Sequence, residues 1–283
     1  MNNQTVVTLP RGLWVEGTRA RAATLRELNG ADHVFLLEKC GEMLPAQRVT
    51  EMLARCVVGF GGHQVTRDTI RSLTVGDREA LLLHLRRLSF GNQLQCVLVC
   101  PAPECGEQLD VELNVNDLLV PVEDAPQSQA EFGLLEDAGC PVRFRLLTGG
   151  DQEAAARVAV SDVEAAGDWL LQTSIQSANS PEDLSGMELT DRLGAQVAER
   201  MKQLDPQAEI TLNVTCSICS HTFAVLFDAA SYLFKELEAD MRTLYREVHL
   251  LAYHYHWSLA DILGLSGQVR RRFLGMISDE VTT

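Results

Sequence analysis

The sequence predicts an α+β protein. Two pseudo-repeated strand–helix–knuckle units are joined by a four-cysteine zinc ribbon, and a long C-terminal helix with a short helical tail follows. Three observations predict this. Residues 73–80, LTVGDREA, return as LTGGDQEA at 147–154, with six of eight positions identical. Each copy is followed downstream by a strand, a cysteine pair and a second strand: LQCVLVCPAPECGEQLDVEL from residue 94 and ITLNVTCSICSHTFAVL from residue 210. From Leu233 to Tyr255, apolar residues recur at gaps of three and four, the spacing of one helix face.

In chain order, residues 5–38 read as β-structure and turns, with TVVTLP, LWVEG and ATLRELNGADHVFLLE as the β-prone stretches. LNGAD at 28–32 is a weak third copy of the repeat. LPAQRVTEMLARCVVGF, 44–60, reads as a short helix ended by Gly61 and Gly62. DTIRS and PVRFR are β-like stretches before the two copies. Thr74 can cap a helix beginning near Gly76, because a hydroxyl accepts a hydrogen bond from a first-turn amide. Leu81, Leu82, Leu85 and Leu88 give that helix an apolar face, and Gly91 stops it.

The second copy lies farther from its cysteines than the first: 72 residues from Leu147 to Cys219, against 32 from Leu73 to Cys105. The difference marks an insertion that begins near SDVEAAGDWLL. Its apolar spacing is helical, with a loop around Asn179–Pro181. The organisation expected is therefore an N-terminal α+β segment with the first repeat (1–95), a first cysteine hairpin (96–120) and an acidic linker (121–140). A second repeat with the insertion (141–209), a second cysteine hairpin (210–230) and a helical docking tail (231–283) complete it.

The helix from Leu233 carries a seam of Leu233, Leu237, Met241, Leu244, Val248, Leu251 and Tyr255, which needs either the protein's own core or another subunit. YHYHW, Tyr253–Trp257, follows. Ser258 can cap SLADILGL, with Asp261 three residues on. The last stretch, QVRRRFLGMI, is basic and then apolar. Arg270, Arg271 and Arg272 read as a solvated or salt-bridging face in so acidic a chain.

The chain has 283 residues and a net charge of −15. Residues 1–99 hold 12 Lys/Arg against 9 Asp/Glu, whereas 100–140 hold ten acids and no base. That balance argues against nucleic acid, since phosphate contacts need clustered cations. No apolar run approaches membrane-helix length, and the first residues lack a basic segment followed by an apolar one. The expected place of synthesis is the cytoplasm.

In a reducing compartment, paired cysteines point to metal before disulfide. Cys100 with Cys105 and Cys216 with Cys219 form two turns, each between strands, and four facing thiolates would close a tetrahedral Zn2+ shell. A closed shell has no open position for an activated water, so the expected zinc is structural. Cys40, Cys56, Cys96 and Cys140 read as buried, inert thiols, and no nucleotide-binding loop, GxSxG or HExxH is present.

EVHLLAYHYHWSLADILGLSGQVRRRFLGM resembles a segment of tail proteins from contractile phages and extracellular contractile injection systems. With TLPRG, LTVGDREALLLHLRRLSFG and both cysteine turns, the whole chain resembles phage baseplate hub assembly chaperones. The first turn departs from the usual spacing, with four residues between its cysteines. The resemblance implies a non-enzymatic structural or assembly component in the cytoplasm or in a phage-like particle. Its partners would be baseplate, hub, tube or tape-measure subunits, with neither membrane nor nucleic acid. The docking side chains expected are Leu244, Leu251, Tyr255, His256, Trp257, Arg270, Arg271 and Arg272. Two other functions compete: a zinc-ribbon adaptor for nucleic acid or transcription machinery, and a metalloenzyme using His221, His254 or His256 at the zinc.

Overall fold

A computed structural model describes residues 4–15, 17–122, 132–137, 140–177 and 191–282. The chain opens with a hairpin of β1 (Gln4–Val15) and β2 (Thr18–Arg26), to which β3 (Val57–Phe60) adds antiparallel on β2. The register of the hairpin shifts between Thr8 and Leu13. Gly12 lies in that bulge at φ +72, where a Cβ would stand 2.0 Å from the Ala20 carbonyl oxygen, so glycine is required.

Between β2 and β3 lie α1 (Gly30–Val34), a π-helical turn at Phe35–Lys39, and α2 (Pro45–Cys56). Residues 33–39 are thus helical rather than β-like. The expected helix over 44–60 ends at Cys56, and its last four residues turn into β3, with Gly61 and Gly62 following the strand. The DTIRS stretch is also helical, as α3 (Arg67–Ser72). Thr66 caps it by accepting from the Thr69 amide, a local signal that outweighs the β-prone side chains. Thr74 caps α4 (Val75–Phe90) by accepting from the Asp77 amide, and Gly91 at φ +93 stops it, both as the sequence predicts.

The two cysteine hairpins are β4 (Gln93–Val99) with β5 (Gln108–Asn114), and β9 (Thr211–Thr215) with β10 (Thr222–Leu226). A short α5 (Val115–Leu118) follows β5. Of the expected linker at 121–140, residues 123–131 and 138–139 lie outside the described residues. Its remainder holds a strand, β6 (Phe132–Asp137), which pairs with β7 (Cys140–Arg145). β8 (Ile175–Ser177) completes that sheet in the order β6-β7-β8. The insertion forms α7 (Val163–Ser174), β8 and α8 (Asp191–Leu204), after α6 (Gly149–Ala159). The loop expected at Asn179–Pro181 lies outside the described residues. The C-terminal region is α9 (Ala229–Tyr255), α10 (Leu259–Leu263) and α11 (Gly267–Thr282).

The main core gathers distant segments: Val7, Leu9 and Leu25 from the first hairpin, Leu53 from α2, Leu81 and Leu85 from α4, and Leu233 and Leu237 from α9. A smaller core of Val142, Phe144, Ile175, Leu193 and Val197 lies between the second sheet and α8. The long mixed α+β chain therefore has apolar cores that need no metal to form.

The repeated motifs meet each other in space. Thr74 and Thr148 form an antiparallel bridge: the Val75 amide donates to the Leu147 carbonyl, and the Gly149 amide donates to the Leu73 carbonyl. Asn29, in the weak third copy, forms the same kind of bridge with Ser266, and the Gly30 amide donates to the Leu265 carbonyl. At each junction one glycine packs against a buried arginine from the other strand of the bridge. A Cβ on Gly149 would stand 1.9 Å from Arg78 Nη1, and one on Gly30 would stand 3.1 Å from Arg270 Nη1. In both glycine-bearing copies, an arginine three residues before the cap clamps the aspartate three residues after it. These pairs are Arg26–Asp32 and Arg145–Asp151, each made by both terminal nitrogens. The same aspartates donate no hydrogen bond but accept the cap residue's amide, closing a capping box at Asn29 and Thr148.

Candidate metal centre

Each cysteine hairpin reverses direction through a turn whose second cysteine precedes a residue with positive φ: Gly106 after Cys105, and Ser220 after Cys219. The following residue closes the turn, since the Cys100 amide donates to the Glu107 carbonyl and the Cys216 amide to the His221 carbonyl. The two turns are therefore built alike from the second cysteine onward, and the longer first turn takes up its two extra residues before Cys105. Ser220 is the residue here that sequence reasoning missed. Its signal was its offset, one place after the second cysteine, where the other turn has glycine.

The turns face each other. Cys100 Sγ lies 3.6 Å from Cys219 Sγ, Cys105 Sγ lies 3.8 Å from Cys216 Sγ, and all four sulfurs lie within 4.8 Å of one another. A disulfide needs about 2.0 Å between sulfurs, so these are not bonded pairs. A tetrahedral zinc with Zn–S bonds of about 2.3 Å places its sulfurs about 3.8 Å apart. The four thiols fit a single ion. Cys100 and Cys216 are buried, Cys105 is half-buried and Cys219 is exposed, so the cluster sits at a rim. Beneath it is a core of only Cys100, Leu109 and Cys216, with Val111, Val214 and Phe223 packed around.

Backbone amides already point at the sulfurs. The Cys219 and Ile218 amides bond Cys216 and pull its thiol down to about 7. The Ala102 amide favours the Cys100 thiolate, but desolvation and the three neighbouring thiols outweigh it and hold Cys100 up at about 12. Cys105 is bonded by the Glu107 amide and is also raised, by desolvation and its neighbours. Four thiols this close cannot all ionise without a cation among them. Amides aimed at sulfur are the outer shell that orients thiolate ligands.

No histidine belongs to the group. His221 is exposed and stacks on Phe223, with ring centroids 6.1 Å apart. Cys96 faces Val111 across β4–β5, outside the group. His256 takes a left-handed conformation at φ 56, which ends α9 and turns the chain toward α10. His254 and His256 are both exposed.

The C-terminal docking residues divide. Leu244 and Leu251 are fully buried in the chain's own packing, so the α9 seam faces the interior here. Arg270 is also fully buried. It donates to Glu247 Oε2 at 2.7 Å and to the Leu265 carbonyl, and forms no part of a solvated face. These three cannot serve as surface contacts here, because each is buried within the chain's own packing. Tyr255 and Trp257 are half-buried in an aromatic cluster with Phe273, Trp257 lying edge-on to Phe273 at 4.9 Å. His256, Arg271 and Arg272 are exposed, as are Tyr253, Leu259 and Met276 nearby.

No helix among the described residues is long and apolar enough to cross a membrane. No curated protein and no solved structure matches the chain. A family model described as T4 bacteriophage base plate protein matches residues 18–235, from the first hairpin through both cysteine turns to the start of α9. With most of its length so matched, the chain belongs to the T4 bacteriophage base plate protein family.

Proposed function

We propose that this protein is a non-enzymatic structural or assembly component of the baseplate, in the hub region of a contractile, phage-tail-like particle. In this reading one Zn2+ held by Cys100, Cys105, Cys216 and Cys219 fixes the two hairpins together, and the zinc is structural. The observation that carries the reading is the convergence of four sulfurs at tetrahedral spacing in a chain of the base plate family. An ion ringed by four protein thiolates holds no water to activate. The repeat adds support: its two copies meet at Thr74 and Thr148 while their downstream cysteine pairs meet at the ribbon, as two equivalent units would.

Partner contact falls to the exposed part of the C-terminal region. Arg271 and Arg272 are exposed on α11 and precede Phe273, whose ring packs with Tyr255 and Trp257, and His256 is exposed between those two in the chain; together they supply the cationic and aromatic side chains that anchor interfaces. The partners are other baseplate components, among them hub, tube or tape-measure subunits.

The test has two arms. Protein made with zinc available is analysed for metal and by X-ray absorption; one zinc per chain with four sulfur neighbours is expected, and a metal-free protein overturns the ribbon. Separately, Arg271→Glu with Arg272→Glu is compared with the unaltered chain for recovery in purified particles or their assembly intermediates. Loss of recovery with metal content unchanged is expected, and full recovery of the double variant refutes the docking surface.

A further inference from the structure

A groove of about 650 Å³ runs between the start of α2, the α6–α7 pair and the segments that flank the second cysteine hairpin. Its walls are mostly small and apolar: Ala155, Ala156 and Ala159 on α6, with Ala166 and Gly167 on α7. Val163 and Leu226 stand exposed at its rim, at 77% and 65%. Small side chains on paired helices let another backbone come close, and an apolar groove of this kind takes an amphipathic helix.

One feature of the groove is out of keeping with an apolar floor. Glu79, on α4, lines it, and among the described residues it forms no hydrogen bond and no ion pair. Its nearest charged influences are Asp228, which opposes its ionisation, and Arg78, which favours it. Arg78 gives its terminal nitrogens to Thr50, Ile70 and Ala46 and makes no ion pair with Glu79 among the described residues. The other acids of the lining already have work: Asp228 caps α9 through the Ser231 amide, and Glu209 pairs with Lys202. No lysine or arginine lines the groove. A half-buried, uncommitted carboxylate in apolar walls, with acids on either side, is complementary to a single cation carried on an apolar surface.

We propose that this groove docks an amphipathic helix of a partner protein, with one lysine or arginine on the helix's apolar face reaching Glu79. The chain's own segments outside the described residues do not suit the role. Residues 123–131 and 178–190 contain acids and no lysine or arginine, so they match the sign of the groove rather than complement it. The proposal does not rest on the zinc ribbon or on the C-terminal surface, and either can fail without it.

The probe is a synthetic alanine–leucine helical peptide of fourteen residues with one central lysine, set beside its glutamine and glutamate counterparts and free spermidine. Binding to the full-length protein is followed at pH 8 through the methyl resonances of Ala155, Ala156, Ala159 and Ala166. The lysine peptide is expected to bind at least about tenfold more tightly than the glutamine peptide, and the glutamate peptide more weakly still. Glu79→Gln should remove the preference for lysine and leave the glutamine peptide bound as before. Spermidine binding more tightly than the lysine peptide would mean a free polyamine site and would overturn the proposal. Equal binding of the three peptides, or shifts confined to methyls elsewhere, would overturn it as well. Unchanged Leu81 and Leu85 methyl signals in the variant show that its core is intact.

Discussion

The cysteine ribbon and the two helix-start junctions all join segments remote in sequence, but by opposite means. At the ribbon, four thiols converge over a core of only Cys100, Leu109 and Cys216, and little apolar surface is buried there. At the junctions, Arg78 and Arg270 are buried outright, each against the glycine of a partnered motif, and the surrounding core is continuous with the main body or the α9–α11 packing. In the proposed reading the ribbon depends on an ion from outside the chain. The junctions depend on shape and on a buried guanidinium that the chain's own acceptors hold, Arg78 through Thr50, Ile70 and Ala46 and Arg270 through Glu247 and Leu265, with Arg78 Nε and Arg270 Nη2 left without a partner among the described residues. The two should therefore fail separately.

Removing the proposed zinc gives the largest expected effect. Structural zinc sites contribute roughly 10 kcal/mol or more of apparent binding energy at neutral pH, and that energy is folding energy for the segment that depends on it. Stripping the ion with a strong chelator, or replacing Cys216 by serine, should unfold the β4–β5 and β9–β10 hairpins. Hydrogen exchange at Val97, Val111, Val214 and Phe223 should rise to that of a loop, while amides of α4 and β2 stay protected. If α4 loses protection in step with the hairpins, ribbon and body are one cooperative unit and the contrast is wrong.

The next effect lies at the second junction. Arg270→Met leaves Glu247, only 4% exposed, without its cation. Breaking one partner of a buried pair costs about 3–5 kcal/mol. Thermal or denaturant unfolding should report that loss, and limited proteolysis should cut between α10 and α11 well before the body. Zinc content should not move. Equal stability of variant and parent would show that Glu247 finds water or a proton at small cost.

These junctions also show what the sequence made legible. The cysteine pairs were readable because the same strand–turn–strand pattern follows both copies of the repeat, so each pair implied the other. Thr74, Gly91 and Ser258 were readable because caps and stops are local chemistry, settled within four residues. Residues 33–38 and 57–60 were misread, since short apolar runs satisfy either period; at 57–60 the outcome rests on β2 accepting a third strand. Arg270 was read as solvated or salt-bridging, and of the two only the salt bridge, to Glu247, is found. Nothing near it in sequence tells a solvated arginine from a buried one. Glu247 lies twenty-three residues earlier, on another helix, and Gly30 lies near the opposite end of the chain.

Gly149 and Gly30 sharpen the comparison between the junctions themselves. Neither has a positive φ, so alanine brings no backbone strain at either site. At Gly149 the new methyl would lie 1.9 Å from Arg78 Nη1 and 2.6 Å from its Cζ. Arg78 is 1% exposed and has nowhere to move. Gly149→Ala should cost about 3 kcal/mol, at the upper end for overpacking. At Gly30 the nearest atoms are Leu263 Cδ2 at 2.9 Å and Arg270 Nη1 at 3.1 Å, and a leucine methyl can rotate aside. Gly30→Ala should cost about 1 kcal/mol. Chemical denaturation of the two variants side by side measures the difference, and a larger loss at Gly30 would reverse the ranking of the junctions.

The smallest effect is a matter of charge and pH, and it separates the acids that hold the fold from the one that does not. Burial pushes Asp32 and Asp151 up, but their bidentate arginines, Arg26 and Arg145, outweigh it and hold both below the usual carboxylate value. Their contribution is present at neutral pH and fades as acid protonates them. Glu79 has the opposite sign. Burial first, and Asp228 second, raise it to about 7 against the pull of Arg78. A carboxyl that binds its proton more tightly folded than unfolded favours folding fully below its unfolded value near 4.5, and that contribution is lost as pH climbs through about 7. Glu79→Gln should therefore change stability little at pH 5 and raise it by about 2 kcal/mol at pH 8. Melting curves of the two proteins across that range give the answer. A gain that is the same at both pH values would assign it to packing, and Glu79 would then be no more a charge without a partner than Asp32 is.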